Sequence, residues 1–211
     1  MTTMADWRKK FDAAAEDYDK KLNKDYIKIR DEIIAEKIRG CKIIVDVGAS
    51  YPKDGVVVLD FSRKMIAKIR EIQKERYKSV RCVVGDANNL PFKSCVDAVV
   101  CCETLYYLDS PEKFVAECSA VMRDGGILII CSLNQLWRFF YRIREVFRRG
   151  GEFPRKFFYR SEIENMMRKF GFGIEDSIGL FPVMGLRILE KSPLRNFAFT
   201  NIIIGRKEKE V

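Results

Sequence analysis

The fold of this chain is decided by three stretches, which read Gly85-Asp86-Ala87-Asn88-Asn89-Leu90-Pro91-Phe92, Val96-Asp97-Ala98-Val99-Val100-Cys101-Cys102-Glu103 and Arg123-Asp124-Gly125-Gly126-Ile127-Leu128-Ile129-Ile130. The second and third contain apolar runs rich in β-branched residues, which is typical of strands buried on both faces of a parallel sheet. Between them, Ser110 is placed to cap a helix and Pro111 to occupy its first position. A strand, a helix and a second strand in this order predict a right-handed crossover.

The same alternation continues outward on both sides. Five apolar runs predict strands, and they are Lys42–Val47, Val56–Asp60, Val80–Val84, Val96–Cys101 and Gly126–Cys131. Ser62 is predicted to cap a helix that leads from the second run towards the third. Strands that alternate with helices predict a doubly wound parallel sheet.

The two ends of the chain complete this architecture. Helical spacing of apolar residues predicts two N-terminal helices between Trp7 and Arg39, and helical structure is also expected over Asn134–Arg149. Ser161 begins a predicted capping box that opens a last helix. Two terminal strands, Ile174–Phe181 and Phe197–Gly205, have no long helix between them and therefore predict an antiparallel pair. The expected fold class is α/β: a doubly wound, mostly parallel seven-stranded sheet with one antiparallel edge strand and N-terminal helices.

This pattern resembles the class I S-adenosylmethionine-dependent methyltransferases with their Rossmann-like fold, and within them the small-molecule enzymes of quinone biosynthesis. The resemblance is carried by Asp60, the Gly85-Asp86-Ala87 turn, the Leu90-Pro91-Phe92 step and Leu105–Leu108. Phe11–Asp19 resembles the family's N-terminal helix over the active site. The resemblance implies methyl transfer from S-adenosylmethionine to a small or lipid-like acceptor.

The length of 211 residues predicts one domain over residues 1–211, divided into four parts. These parts are N-terminal helices at 1–40, a cofactor-binding core at 41–133, a substrate-side insertion at 134–160, and a C-terminal helix with edge strands at 161–211.

Cofactor contacts are expected beyond the carboxyl ends of the first four strands. The resemblance assigns the ribose hydroxyls to Asp60 and the adenine to Phe61, Asp86 and the backbone N–H of Ala87. It assigns four further residues to the cofactor site. Asp46 and Gly48 lie at the end of the first strand, and Cys102 and Glu103 end the fourth strand, next to the methionine part of the cofactor. An aspartate that ends a strand also commonly bonds its own backbone, so capping is the competing interpretation for Asp60.

No catalytic residue follows from the sequence, because methyl transfer needs alignment more than a dedicated base. The chain has no histidine. If the acceptor is a hydroxyl group, the candidates for its proton are Glu103, Tyr106, Tyr107 and Tyr18.

One departure from the family lies after the first strand. Asp60 follows Gly48 by only 12 positions, whereas about 20 separate the glycine turn from the acidic residue in dinucleotide-binding folds. Only Ala49–Gly55 can return the chain to the second strand, which leaves room for an extended loop and not for a helix. We therefore expect an N-terminal helix or a second copy of the chain, in a homodimer, to cover the exposed sheet face.

The missing helix N-terminus also removes backbone N–H groups that would face the cofactor's carboxylate end. A basic side chain such as Lys53, or polar contacts from Ser50 and Tyr51, are candidate substitutes, and an ordinary surface turn is the alternative. If nothing substitutes, the chain is a catalytically impaired methyltransferase-like protein with a binding or assembly role.

The insertion Gln135–Arg160 interleaves aromatic and basic residues. The pattern fits an amphipathic lid helix, a membrane-facing or lipid-binding surface, or, less well, an RNA-binding surface. A net charge of +9 suits nucleic acid, anionic lipids and anionic substrates equally.

Composition bears on whether the chain binds a metal and on where the protein is located. Seven cysteines without a CxxC pair, in a chain without histidine, do not predict a metal site. No apolar run approaches the length of a membrane span and no secretory signal is visible, so we expect a cytoplasmic protein. Abundant Lys, Arg and Glu with few Gln resemble thermophile composition.

Overall fold

The computed structural model describes residues 4–15, 24–51, 53–76, 79–140, 156–181 and 193–209. The helices are α1 (Met4–Ala14), α2 (Lys24–Lys37), α3 (Arg63–Arg76), α4 (Pro111–Val121) and α5 (Arg160–Lys169). The strands are β1 (Ile44–Val47), β2 (Val56–Asp60), β3 (Arg81–Val84), β4 (Val96–Cys102), β5 (Met122–Leu133), β6 (Phe172–Leu180) and β7 (Thr200–Lys207). Among these residues, none of the helices combines the length and the apolar composition that a bilayer crossing requires.

The seven strands form one sheet in the order β3-β2-β1-β4-β5-β7-β6. Strands β1 to β5 pair in parallel, and β7 runs antiparallel to both of its neighbours, β5 and β6. The predicted antiparallel strand is therefore β7, and β6 lies outside it at the edge. Because the chain continues from β1 towards β3 in one direction and from β4 towards β6 in the other, β1 and β4 flank the point where strand order reverses.

Most predicted boundaries are confirmed to within a few residues, and two caps behave as expected. Ser62 accepts a hydrogen bond from the Met65 N–H (3.0 Å), and Ser110 accepts one from the Lys113 N–H (3.3 Å). Strand β5 begins earlier than the predicted Gly126, because α4 ends at Val121 and the next residue is already extended.

The prediction of a capping box that begins at Ser161 is wrong. Helix α5 begins at Arg160, and its N-cap is Tyr159, whose backbone N–H donates to Glu162 Oε2 (2.7 Å). Glu162 thus supplies the reciprocal hydrogen bond of a capping box. The N-cap that it serves is Tyr159, which precedes the predicted N-cap, Ser161. The helix expected over Asn134–Arg149 falls largely outside the described residues.

Helices α4 and α5 cover one face of the sheet. Val99, Cys101, Leu128 and Ile130 project from β4 and β5 into a core formed with buried side chains of these helices, which are Phe114, Val115, Cys118, Ile163 and Met167. All of these residues have at most negligible exposure. This face resembles that of any doubly wound sheet.

Helix α2 covers the opposite face at the place where a crossover helix is missing. The described residues between β1 and β2 contain no helix, as predicted. Ile33, Ile34 and Ile38 of α2 and the turn after it pack in one cluster with Tyr51 and with sheet residues of β4, β5 and β7. Of the two covers expected for this face, the N-terminal helix is the one that the structure provides.

Candidate active site

A pocket opens where β1, β2 and β4 end, at the reversal of strand order. We call it the strand-end pocket; its lining residues are Phe11, Val47, Gly48, Leu59, Asp60, Phe61, Met65, Gly85, Ala87, Glu103, Thr104, Tyr107 and Leu108. The space between them, with the open side included, is about 610 Å³. Small-molecule sites are mostly apolar with a few polar groups, which describes this lining.

The β2–β3 side of the pocket comprises Asp60, Phe61, Gly85 and Ala87. Asp60 ends β2 and is only 7% exposed. Its Oδ1 accepts a hydrogen bond from the Ser62 N–H (2.7 Å), so the competing capping interpretation holds for this one oxygen. Within the described residues Oδ2 accepts no hydrogen bond, which leaves it available to a ligand. Burial raises the pKa of Asp60 to about 6, although the Ser62 hydrogen bond opposes the shift.

Asp86 lies beside this wall without lining it. Its carboxylate is exposed and accepts a hydrogen bond from the Asn88 N–H (2.8 Å). Its neighbours Gly85 and Ala87 do line the pocket. The adenine contact expected of Asp86 therefore stays a prediction, which requires the carboxylate to reach a ligand from the pocket rim.

The β1–β4 side comprises Gly48, Glu103 and Thr104. Gly48 has φ +88°, and a Cβ there would lie 1.9 Å from Thr104 Oγ1. Its backbone N–H donates to the Leu59 carbonyl (2.8 Å). A glycine is thus required both by the left-handed backbone and by the close approach of Thr104.

Glu103 has a left-handed backbone as well, with φ +54°. Its carboxylate accepts hydrogen bonds from the hydroxyls of Tyr26 (2.5 Å) and Tyr106 (2.8 Å). Burial raises the pKa of Glu103, and the two hydroxyls lower it in part because they stabilise the charged form. A strained backbone at a pocket-lining carboxylate is typical of a functional position.

Asp46 and Cys102 lie behind this side of the pocket rather than in it. Asp46 is fully buried and accepts hydrogen bonds from the Tyr51 N–H (2.8 Å) and the Ser50 hydroxyl (3.4 Å), so it holds the turn after β1. Burial raises the pKa of Asp46 to about 7. Cys102 is buried on the α2 face of the sheet in the same cluster as Cys131.

The basic side chain expected to compensate for the missing helix is engaged elsewhere. Lys53 Nζ lies 3.2 Å from Asp31 Oδ2 on α2, and 5.4 Å from the centre of the Tyr51 ring. Tyr51 itself is buried against α2. These residues attach the shortened loop to α2 and do not line the pocket.

Helix α1 lies over the β2–β3 side. The Phe11 ring packs edge-on against Phe61 (5.7 Å between centroids) and Tyr107 (5.0 Å), and Trp7 lies 4.7 Å from Tyr107. Asp12 Oδ1 accepts a hydrogen bond from the Ser62 hydroxyl (2.5 Å). Helix α1 thus provides the first part of the helix predicted over the site, and Glu16–Asp19, with Tyr18, lie outside the described residues.

Sequence reasoning missed two residues that line the pocket and one that supports it from outside. Thr104 and Met65 carry no motif, and Tyr26 meets Glu103 across 77 positions of the chain. The only available signal was the apolar stripe of α2, which placed Tyr26 on the buried face. In the described ranges, no cluster of Cys, Asp and Glu side chains is arranged to hold a metal ion.

Comparison with known proteins finds similarity to methyltransferases. Residues 49–130 match the model of the methyltransferase domain family. A protein of Mycolicibacterium smegmatis, named as a probable S-adenosylmethionine-dependent methyltransferase, is 27% identical over 72% of this chain and 54% of its own length. The ubiquinone biosynthesis O-methyltransferase of Chromobacterium violaceum is 24% identical over 59% of this chain and 58% of its own length. The chain thus spans little more than half the length of these two relatives.

The fold has close counterparts among solved structures. A chain in the complex between the Haloferax volcanii Trm112 methyltransferase activator and its methyltransferase superimposes with a TM-score of 0.74 at 16% identity. The match covers 97% of this chain and 98% of that one. At this identity the likeness concerns the fold.

Proposed function

We propose that the chain is a class I S-adenosylmethionine-dependent methyltransferase that transfers the methyl group of this cofactor to a small or lipid-like acceptor; the match of residues 49–130 and the Mycolicibacterium smegmatis relative support this. The proposal rests mainly on the convergence of Asp60, Phe61 and Glu103 on one pocket at the reversal of strand order. When bound, S-adenosylmethionine supplies an activated methyl group, so the protein mainly has to align the acceptor with it.

The pocket residues fit such a cofactor. Oδ2 of the buried Asp60 has no partner among the described residues and can accept from ribose hydroxyls. Phe61 and Met65 offer an apolar surface for the adenine, and the Ala87 backbone can donate to it. Glu103 can accept from the ammonium group of the methionine part.

The surroundings of the pocket support an apolar acceptor. Phe11 and Tyr107 form an aromatic wall of the pocket, and large apolar side chains are exposed near the carboxyl end of β5. These exposed residues are Leu136, Phe139, Phe140, Tyr159 and Phe197. If the acceptor is a hydroxyl group, Glu103, Tyr106 and Tyr107 remain the described candidates to take its proton. A quinone-type acceptor is consistent with the ubiquinone-biosynthesis relative.

Cofactor binding is tested by isothermal titration of S-adenosylmethionine and S-adenosylhomocysteine. We expect both to bind the wild-type protein, and Asp60→Asn to weaken both by about 10- to 100-fold, since it removes charged hydrogen bonds of roughly 1.5–3 kcal/mol. Asp124→Asn is the matched control, because Asp124 is exposed near the opposite ends of the strands. Failure of the wild type to bind either compound at millimolar concentration would contradict methyl transfer and favour the impaired, assembly-type alternative.

The acceptor class is tested separately with methyl-tritiated cofactor and a cell extract. Label in the organic-soluble fraction supports a small or lipid-like acceptor. Label retained on RNA or protein instead contradicts it.

A further inference from the structure

Large apolar side chains are exposed beyond the carboxyl end of β5. Of the seven such residues within the described ranges, five lie there, with exposed fractions between 45% and 68%. We call these five the apolar patch; they are Leu136, Phe139, Phe140, Tyr159 and Phe197. Single exposed apolar residues are ordinary, whereas a contiguous group of them usually marks an interaction site.

Ring contacts and a hydrogen bond show that the patch is contiguous. The Phe140 ring lies 6.0 Å from the Phe139 ring and 5.4 Å from the half-buried Trp137 ring. The indole N–H of Trp137 donates to the Phe197 carbonyl (3.0 Å). Residues that precede β7 therefore share one surface with those that follow β5.

The patch is fixed to the folded domain from below. The buried Asn134 donates through Nδ2 to the Ala198 carbonyl (3.0 Å), next to Phe197. Asn134 also forms an isolated β-bridge with Phe158, next to Tyr159. The exposed rings thus stand on a platform that β5 holds in place.

The charge beside the patch is positive. Arg138 and Lys156 are exposed, and neither forms an ion pair with another described residue. The nearby glutamates of α5 are engaged, since Glu162 bonds a backbone N–H and Glu164 pairs with Arg160. Two cations at the rim therefore lack a neutralising partner among the described residues.

An anionic lipid surface fits this combination. Apolar side chains can enter the boundary between head groups and acyl chains while cations attract the anionic head groups. In the sequence, Tyr141–Arg155 joins Phe140 to Lys156 and contains five arginines and two glutamates. Single-stranded RNA would instead require cations along a groove that follows its phosphates. The centre of the patch is uncharged, and Leu136 offers no ring on which a base could stack.

The patch lies at the same edge of the sheet as the strand-end pocket. Because β4 and β5 are parallel, their carboxyl ends point to one edge. Tyr107, which lines the pocket, packs against Tyr106 (4.7 Å between centroids), and Tyr106 stacks on Phe157 (6.5 Å). Phe157 belongs to the segment that ends at Tyr159, so an aromatic row connects the pocket wall to the patch.

We propose that the apolar patch docks the protein on an anionic membrane surface, with Phe139 and Phe140 below the head groups and Arg138 and Lys156 in contact with them. The docking goes beyond methyl transfer. It rests on the proposed function only for the route of the lipid-like acceptor, which then enters the strand-end pocket from the membrane.

Flotation compares vesicles of phosphatidylcholine alone with vesicles that also contain phosphatidylglycerol. We expect binding to the mixed vesicles only, and weaker binding at high salt because ions screen the surface charges. The double variant Phe139→Ser/Phe140→Ser should bind about 30-fold more weakly or worse, because two apolar rings no longer leave water. Ile43→Ser is the matched control, since Ile43 is exposed just before β1, at the opposite edge of the sheet. It should bind as the wild type does.

The cations are tested in the same assay. Arg138→Gln/Lys156→Gln should weaken binding to the mixed vesicles by about 25-fold, or about fivefold for each cation. Lys93→Gln removes a charge from an exposed residue that precedes β4 and should have no effect. All of these variants alter exposed side chains, so their thermal unfolding should match that of the wild type.

Four results would overturn the inference. They are the absence of vesicle binding, equal binding to both kinds of vesicle, tighter binding to a single-stranded RNA oligonucleotide than to vesicles, and a dimer in light scattering that Phe139→Ser/Phe140→Ser dissociates. That variant should still bind S-adenosylhomocysteine as the wild type does, because neither residue lines the strand-end pocket. Cofactor binding without vesicle binding therefore overturns only the docking, whereas vesicle binding without cofactor binding overturns the proposed function.

Discussion

The two sides of the strand-end pocket are built in different ways. On the β2–β3 side, Asp60 is fixed by the N–H of Ser62, two residues later, and Asp86 by that of Asn88. On the β1–β4 side, Glu103 is fixed by Tyr26 from 77 positions away, and the carbonyl of Ser50 by Arg30 from α2. The first side is organised by local backbone turns, and the second by the docking of a distant helix.

This contrast shows how a short connection can be tolerated. The β1–β2 loop has lost the helix that would both cover the sheet and face the ligand. Helix α2 covers the sheet through Ile33 and Ile34, and it brings Tyr26 to Glu103 and Arg30 to the turn after β1. One N-terminal helix therefore replaces the missing cover of the sheet and supports the carboxylate and the turn of the β1–β4 side.

Gly48 lies where the two sides meet, and its substitution should have the largest effect. Gly48→Ala places a Cβ 1.9 Å from Thr104 Oγ1 at φ +88°, so we expect a loss of about 3 kcal/mol in the free energy of unfolding, measured by urea titration. Gly40→Ala is the matched control, since Gly40 has the same φ of +88° and a Cβ added there would have no neighbour within 4 Å. It should lose only about 1 kcal/mol.

The clash can be separated from the backbone strain. Adding Thr104→Ala to Gly48→Ala should recover part of the difference between the two glycine variants, because it removes Oγ1 and Cγ2 of Thr104 but leaves its Cβ 2.8 Å from the added Cβ. If the double variant is no more stable than Gly48→Ala, steric overlap with Thr104 is not the cause.

Asp46 supports the β1–β4 side from behind, and it should make stability depend on pH. Burial raises its pKa to about 7 in the folded protein, against about 3.9 when unfolded. The folded state therefore binds more protons than the unfolded state between these values, and stability falls as pH rises from about 4 to about 7. Asp46→Asn removes this titration and should flatten the profile by roughly 2 kcal/mol.

Urea midpoints under reducing conditions at pH 5 and pH 8 provide the measurement. Asp124→Asn removes a negative charge from an exposed site and serves as the control. If the stability of Asp46→Asn depends on pH as that of the wild type does, other buried carboxyl groups, such as those of Asp60 and Glu103, dominate the pH dependence.

The locally built features were those that the sequence predicted well. Apolar runs located every strand of the sheet, and the caps at Ser62 and Ser110 were correct because a serine side chain bonds the backbone within its own turn. The missing helix between β1 and β2 followed from chain length alone. Asp60 and Phe61 were found because strand ends converge in any parallel sheet.

The features that depend on tertiary contacts could not be predicted from the sequence. Nothing local distinguishes Arg30 from the exposed Lys28 on the same helix, because burial is decided by how α2 docks. By its position Lys53 was the expected cation for the cofactor's carboxylate, but its ammonium group forms an ion pair with Asp31. At α5, Ser161 had the preferred composition for a cap, but Glu162 bonds the backbone of Tyr159 instead.

The smallest predicted effect compares the two tyrosines that share Glu103. Tyr106 lies three residues from Glu103, whereas Tyr26 connects it to α2. Tyr26→Phe should weaken S-adenosylhomocysteine about fivefold, the value of one hydrogen bond of about 1 kcal/mol, and leave 5′-methylthioadenosine, which lacks the amino-acid part, unchanged. Tyr106→Phe removes the second hydrogen bond to Glu103 without breaking a contact to α2, so its loss should stay within about twofold. Equal losses in the two variants, measured by isothermal titration, would mean that the connection to α2 adds nothing to the β1–β4 side beyond the hydrogen bond itself.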